Sequence, residues 1–188
     1  MTKTLYLMRH GETLFNQEQR IQGWCDSPLT QKGRAQAAGH WLRTHQVMIQ
    51  SAYSSTQERA SDTLNLACPN LPFTRLKGLK ECHFGRFEGQ PEYLNPPYPY
   101  GDYFVAYGGE AEAEVQKRMV ATLTDIAEND PAENILVVSH AGACYNFVHR
   151  FGWDEFNAEH ETLQNCTILK YDYAHGEFAL QAVIHPEG

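Results

Sequence analysis

The chain is short of positive charge, of paired cysteines and of long apolar runs. Fifteen Lys and Arg stand against 23 Asp and Glu, a formal net charge of −8. A global field of that sign disfavours nucleic acid or an anionic membrane as the main partner. It leaves open an anionic small molecule, because one pocket can oppose the net charge. No apolar stretch approaches the roughly 20 residues needed to cross a bilayer. The first ten residues hold one Lys and a short apolar run, Leu5–Met8, which does not match a signal peptide. The cysteines (Cys25, Cys68, Cys82, Cys144 and Cys166) are odd in number, scattered, and form no C-x-x-C pair. Reduced thiols in a cytoplasmic protein are expected, and no zinc site or disulfide scaffold. There is no internal repeat, low-complexity tract or linker, so residues 1–188 are expected to form a single domain.

What is present is an alternation of apolar runs and helical patterns. Thr4–Met8 and Ile135–Val138 read as buried strands. Val47–Tyr53 and Phe73–Leu76 read as two more. Helices are expected over Thr30–His45, with Thr30 as cap, and over Thr56–Leu66 behind a Ser55–Glu58 capping box. Further helices are expected over Ala111–Glu128, with Val115, Met119, Leu123 and Ile126 on one side, and over Ala141–Phe151. Thr167–Tyr173 and Glu177–Ile184 read as a hairpin turning at His175-Gly176. The pattern predicts a three-layer α/β/α sandwich with a mainly parallel central sheet.

Two strand-to-helix turns share a feature. Arg9-His10-Gly11-Glu12-Thr13 follows the first strand, and Ser139-His140-Ala141-Gly142 follows the strand at Ile135–Val138. In open α/β sheets ligands bind at the carboxyl ends of the strands, where helix N-termini favour phosphate. Arg59 lies early in the helix after another strand. Two His and two Arg can thus converge on one anion. A neutral imidazole can attack phosphorus, and Arg guanidinium matches the peripheral oxygens of a phosphoryl group. The leaving alkoxide needs a proton, for which Glu81 is the candidate acid.

These residues sit in ordered blocks. Arg9-His10-Gly11-Glu12-Thr13 with Asn16 is followed by Arg20-x-Gln22-Gly23, then Asp26-Ser27-Pro28-Leu29-Thr30. Next come Tyr53-Ser54-Ser55, Arg59 and Thr63, then Glu81 with Phe84-Gly85, Gly108-Gly109-Glu110, and Ser139-His140-Ala141-Gly142. In this order they resemble the histidine phosphatase superfamily, the phosphoglycerate-mutase-like family. The resemblance implies a metal-independent phosphoric monoester hydrolase with a phosphoglycerate-mutase-like fold and no cofactor. It makes His10 the nucleophile that is transiently phosphorylated. Arg9, Arg59 and His140 would bind the phosphoryl oxygens, with Ala141 beside them. Glu81 would be the general acid and base. Asn16 would add a phosphate or pocket contact, and Gln22 and Gly23 would border a small-molecule phosphomonoester.

Glu81 and His140 stand 59 positions apart (140 − 81), a shorter insertion than in the mutase branch, which favours hydrolysis. The alternatives are a cofactor-dependent mutase and a non-catalytic phosphate-binding protein. Nothing in the sequence speaks to oligomeric state. Trp24-Cys25 reads equally as pocket rim or as packing beneath a loop. Residues 90–109 hold Pro91, Pro96, Pro97 and Pro99 among five Tyr and Phe104, which excludes regular helix or central strand. The stretch is either a lid that selects the non-phosphate part of the substrate or a packing or dimer surface.

Overall fold

The central strands follow from burial on both faces. In β1 (Lys3–Arg9) and β4 (Asn134–Ser139) the apolar residues are all buried. Leu5, Leu7, Ile135 and Val137 point into one core cluster, and Tyr6, Met8, Leu136 and Val138 into a second on the other side. A strand covered on both faces becomes a continuous apolar run, with no alternation to show its period.

The computed structural model describes residues 2–38 and 41–185. Around β1 and β4 it builds a six-stranded sheet with β2 (Ser51–Ser55), β3 (Thr74–Leu76), β5 (Ile168–Ala174) and β6 (Glu177–Ile184). The strand order is β3-β2-β4-β1-β5-β6. The first four strands of that order pair in parallel, and β1-β5 and β5-β6 pair antiparallel. His175 (φ 55°) and Gly176 (φ 83°) both take left-handed backbone at the β5–β6 turn, as a two-residue hairpin loop requires.

Helices cover both faces. On one side lie α5 (Glu112–Asn129) and α6 (Ala141–Arg150), whose Val115, Met119, Leu123, Ile126 and Phe147 enter the first cluster. On the other lie α2 (Gln31–Ala38), α3 (Trp41–Thr44) and α4 (Glu58–Ala67), which bring Ala37, Leu42, Ala60 and Leu64 to the second. The fold is therefore a three-layer α/β/α sandwich on a mainly parallel sheet. Short helices α1 (Leu14–Gln17) and α7 (Trp153–Ala158) complete the set. None of the described helices is long and apolar enough to cross a membrane.

Several boundaries differ from the sequence reading. The strand expected over Val47–Tyr53 starts only at Ser51, where pairing with Ile135 of β4 begins, and Met48 is exposed. The helix expected over Thr30–His45 is two helices, and residues 39–40 lie outside those described. Thr30 does cap the first, its Oγ1 accepting Gly33 N at 3.0 Å. Ser55 ends β2 instead of capping α4. The cap position belongs to Gln57, whose own N–H donates to Ser55 Oγ at 3.3 Å. Residues 90–109 hold only two 3₁₀ turns, Glu92–Leu94 and Tyr103–Tyr107.

Candidate active site

The strand order brings the two His-bearing turns together. β4 inserts beside β1, so Arg9 is in register with Ser139, and His10 N donates to Ser139 O at 3.0 Å. The next residues, His10 and His140, then emerge side by side at the carboxyl edge, their ring centroids 5.2 Å apart. Here the chain runs from β1 to β2 across the space that β4 occupies, the switch point at which open α/β sheets bind ligands.

His10 is buried, and its Nδ1 lies 2.8 Å from Gly11 O. A carbonyl can only accept, so Nδ1 carries the proton and Nε2 keeps its lone pair. Burial, with the charges of Arg59 and Arg9 behind it, holds the His10 pKa well below the ordinary value. His10 is therefore neutral near pH 7, as a nucleophilic imidazole has to be.

His140 is fully buried, and neither of its ring nitrogens has a hydrogen-bond partner. Its pKa is also held well down, by burial first and then by Arg59, His10, Arg118 and Arg9. In the protein alone it is thus neutral. Two unpaired buried nitrogens suit an incoming anion, which supplies both an acceptor and a reason to protonate.

The Glu81 carboxylate sits at the start of α6. Its Oε1 accepts Cys82 N and Ala143 N, each at 2.8 Å, and Oε2 accepts Gly142 N at 2.9 Å. Free amides at a helix N-terminus attract anions, here the protein's own carboxylate. Two residues that the sequence reading passed over hold the Glu81 backbone. Gln57 Oε1 accepts Glu81 N at 2.9 Å, and Arg118 Nη2 donates to Glu81 O at 2.9 Å. Arg118 also forms a fork with Glu110, whose other bond is to His83 N.

Arg9, His10, Glu81, Ala141 and Gly142 form the floor of a cavity of about 460 Å³, with Asn16 and Gln22 at its side. Arg9 donates through Nη1 to Leu163 O at 2.5 Å, and its buried Nε has no partner. Asn16 Oδ1 accepts from Thr13 N at 3.2 Å and from Asn165 Nδ2 at 3.1 Å. Gln22 is tied at both ends, its Oε1 to Thr13 Oγ1 at 2.7 Å and its Nε2 to Ser27 Oγ at 3.0 Å. Asn165 also reaches His10 O at 3.2 Å. It lies just before β5, outside every motif block, so spacing gave no sign of it.

Arg59, His140 and Gly23 do not line the cavity. Arg59 is 1% exposed. Its Nη1 donates to Cys25 O at 2.9 Å and Asp26 Oδ1 at 2.8 Å, and its Nη2 donates to Gly23 O at 2.8 Å. Its terminal nitrogens therefore clamp the loop 22–26, and its buried Nε is unpartnered. Gly23 is an anchor of that loop. A Cβ there would stand 2.2 Å from Cys82 O and 2.5 Å from Phe84 Cδ2, so the backbone must be glycine to approach.

Trp24, Cys25 and His83 also lie outside the cavity. Trp24 donates through Nε1 to Glu81 O at 3.0 Å and stacks on His83 at 4.5 Å. It braces the Glu81 loop from behind. All five cysteines are free thiols, and burial raises the pKa of four of them: Cys25, Cys82, Cys144 and Cys166. Among the described residues no three His, Cys, Asp or Glu side chains are grouped to hold a metal ion.

Comparison with known proteins places this edge in a class. The profile of the histidine phosphatase superfamily (branch 1) matches residues 5–185. The chain belongs to that superfamily. Its relatives include 2,3-bisphosphoglycerate-dependent phosphoglycerate mutase 2 of Gloeobacter violaceus, 30% identical over 72% of this chain and 69% of that protein. Some other phosphoglycerate mutases match over 94 residues only, which is 38% of their own length. Among solved structures, phosphoglycerate mutase from Bacillus anthracis str. Sterne superposes with a TM-score of 0.85 at 25% identity, over 96% of this chain and 92% of that one. A candidate alpha-ribazole-5′-P phosphatase of Escherichia coli superposes with a TM-score of 0.78 at 25% identity, over 98% and 97%. The sandwich is thus of the phosphoglycerate-mutase-like kind.

Proposed function

We propose that this chain is a phosphatase that hydrolyses small-molecule phosphomonoesters through a phosphohistidine on His10. The observation that carries the reading is the 2.8 Å contact between His10 Nδ1 and Gly11 O, from which the tautomer follows. The Nδ1–H of His10 is fixed on Gly11 O, leaving a neutral Nε2 on the floor of the cavity beside Arg9 and Glu81. In the first step the Nε2 lone pair attacks phosphorus and the P–O ester bond breaks. Glu81 enters this step in its acid form, and the leaving alkoxide takes that proton, leaving the carboxylate. In the second step Glu81 takes a proton from water, the hydroxide attacks phosphorus, and the P–N bond breaks. Phosphate leaves, and the lone pair returns to Nε2. Arg9 faces the phosphoryl oxygens from the cavity wall. His140 supports them from behind His10, and Arg59 acts by fixing the loop 22–26 and by its charge.

Positive charge from Arg9, Arg59 and a substrate-protonated His140 takes the place that ions hold in metallophosphatases. Activity is therefore expected to survive exhaustive chelation and to need no cofactor. Five free thiols fit a reducing, cytoplasmic setting. A mutase is the second reading, favoured by the names of several relatives. A phosphate-release screen over phosphorylated metabolites separates the two, with the His10→Ala protein as blank. Release of inorganic phosphate in step with ester loss supports hydrolysis. Transfer to a second hydroxyl without phosphate release supports the mutase, and no turnover of any ester contradicts both.

A further inference from the structure

Beyond the residues of the proposed chemistry, the cavity has a wall of different character. Tyr98 and Tyr100, from the Pro- and Tyr-rich stretch, face it together with Tyr145 of α6 and Trp153 of α7. Tyr98 and Tyr100 meet edge to face at 5.4 Å, and Tyr98 lies 6.1 Å from Tyr145. Such rings offer flat apolar faces to a planar group.

Two polar groups of this wall are unfilled acceptors, set among tyrosine hydroxyls that can both donate and accept. Asn95 lines the cavity, and its buried Oδ1 has no hydrogen-bond partner among the described residues. A buried carbonyl oxygen left unpaired is costly unless a ligand donates to it. Glu92 lies on the rim and makes no ion pair among the described residues. The one cation on the wall, Arg20, is already engaged by Glu18 at 2.7 Å and by Gly89 O at 3.0 Å. The outer cavity thus offers aromatic faces, two unfilled acceptors and the negative charge of Glu92.

We propose that this wall selects a phosphomonoester whose alcohol part is a flat aromatic group bearing N–H or O–H donors, and disfavours one bearing a carboxylate. The proposal rests on the phosphomonoester reading above for where the phosphate sits. The ring packs among Tyr98, Tyr100, Tyr145 and Trp153. Its donors reach Asn95 Oδ1 and the Glu92 carboxylate. A carboxylate at the same place meets two acceptors, and like charge from Glu92.

The test uses 3-aminobenzyl phosphate and 3-carboxybenzyl phosphate, benzyl esters that differ only in the meta substituent, with glycerol 1-phosphate as the non-aromatic probe. The full chain should prefer the amino ester over the carboxy ester in kcat/KM by about tenfold or more. Glu92→Gln should narrow that ratio by improving the carboxy ester. Asn95→Ala should narrow it by weakening the amino ester, and Tyr98→Ala should lower the ratio of amino ester to glycerol 1-phosphate. Each variant is checked for an unchanged melting curve. Calorimetric titration of the same probes into His10→Ala reads the same order without turnover, so a failed phosphatase reading leaves this inference testable. Equal handling of the amino and carboxy esters, or a ratio that neither Glu92→Gln nor Asn95→Ala moves, would overturn it.

Discussion

His10 and His140 lie with ring centroids 5.2 Å apart and planes inclined by 58°, although most of the chain separates them in sequence. The Arg9–Ser139 register between β1 and β4 fixes that approach. Both rings are buried and both are held neutral, each in part by the same arginines, Arg59 and Arg9. Yet they are not equivalent. The His10 Nδ1–H is tied to Gly11, whereas His140 has two unpartnered nitrogens. One ring has its orientation fixed by a backbone carbonyl, and the other has both nitrogens open to a partner.

Proton uptake on ligand binding follows. A phosphoryl dianion beside His140 should raise its pKa from far below the ordinary value toward neutrality. Sulfate, a dianion throughout this range and of the same shape, titrated calorimetrically near pH 6.5 in buffers of different ionisation enthalpy, should show net proton uptake. His140→Asn should remove most of it. Identical heats in all buffers would mean that His140 stays neutral throughout.

Stability should depend on pH through the same two rings. Their folded pKa values are depressed, so the unfolded chain binds protons first as pH falls below about 6.5. Stability is fully present above that value and is lost as pH falls toward the folded pKa values. The melting temperature should therefore decline between about pH 6.5 and pH 5, and the His10→Asn/His140→Asn double variant should flatten the decline. An unaltered slope in the double variant would assign the loss to other groups.

Arg59 is both a charge behind the histidines and the clamp of the loop 22–26. Its fork binds Asp26 Oδ1 and the carbonyls of Cys25 and Gly23 at once. Lysine keeps the charge but cannot form a fork. Arg59→Lys should cost about 2–4 kcal/mol of stability, because buried acceptors lose their donors. Denaturant unfolding measures this. A loss below about 0.5 kcal/mol, with activity strongly reduced, would instead make Arg59 chiefly a ligand for substrate.

Gly23→Ala tests the close approach beneath that loop. Its added Cβ would meet backbone oxygen of Cys82, which cannot swing aside as a side chain can. The variant should melt lower than the parent and lose activity through the displaced Glu81 loop. An unchanged melting curve would show that the loop has room to shift.

Much of this was legible in the sequence, for identifiable reasons. β1 and β4 are buried on both faces, so their runs of Leu, Ile and Val stand out. α5 carries one apolar stripe over 18 residues, and the His175-Gly176 turn has the residues its backbone demands. β2 was harder, because its first apolar neighbours, Val47 to Ile49, precede the point where β4 offers a partner. α1 and α7, at four and six residues, are too short to show a period. Within the site, the motif spacing drew attention to His10, Glu81 and His140. It said nothing of direction: Arg59 reads as an anion ligand until its hydrogen bonds to the loop are seen. Asn165, Gln57 and Arg118 act on the site through hydrogen bonds to backbone and side-chain groups, which leave no pattern in sequence. The stretch 90–109 proves to have two parts. Asn95, Tyr98 and Tyr100 line the cavity, whereas Tyr103 and Tyr107 pack against Phe87 on the outside.

The central claim is that His10 carries the phosphoryl group. Rapid quenching of the protein with an aryl phosphate, followed by intact-mass and peptide analysis under alkaline conditions, tests it most directly. The account predicts a single phosphoryl adduct, labile to acid, on the peptide containing His10. That adduct should be absent from His10→Ala and should accumulate in Glu81→Gln, where water is no longer activated. A phosphoryl group on another residue, or turnover by His10→Ala at the parent rate, would contradict it.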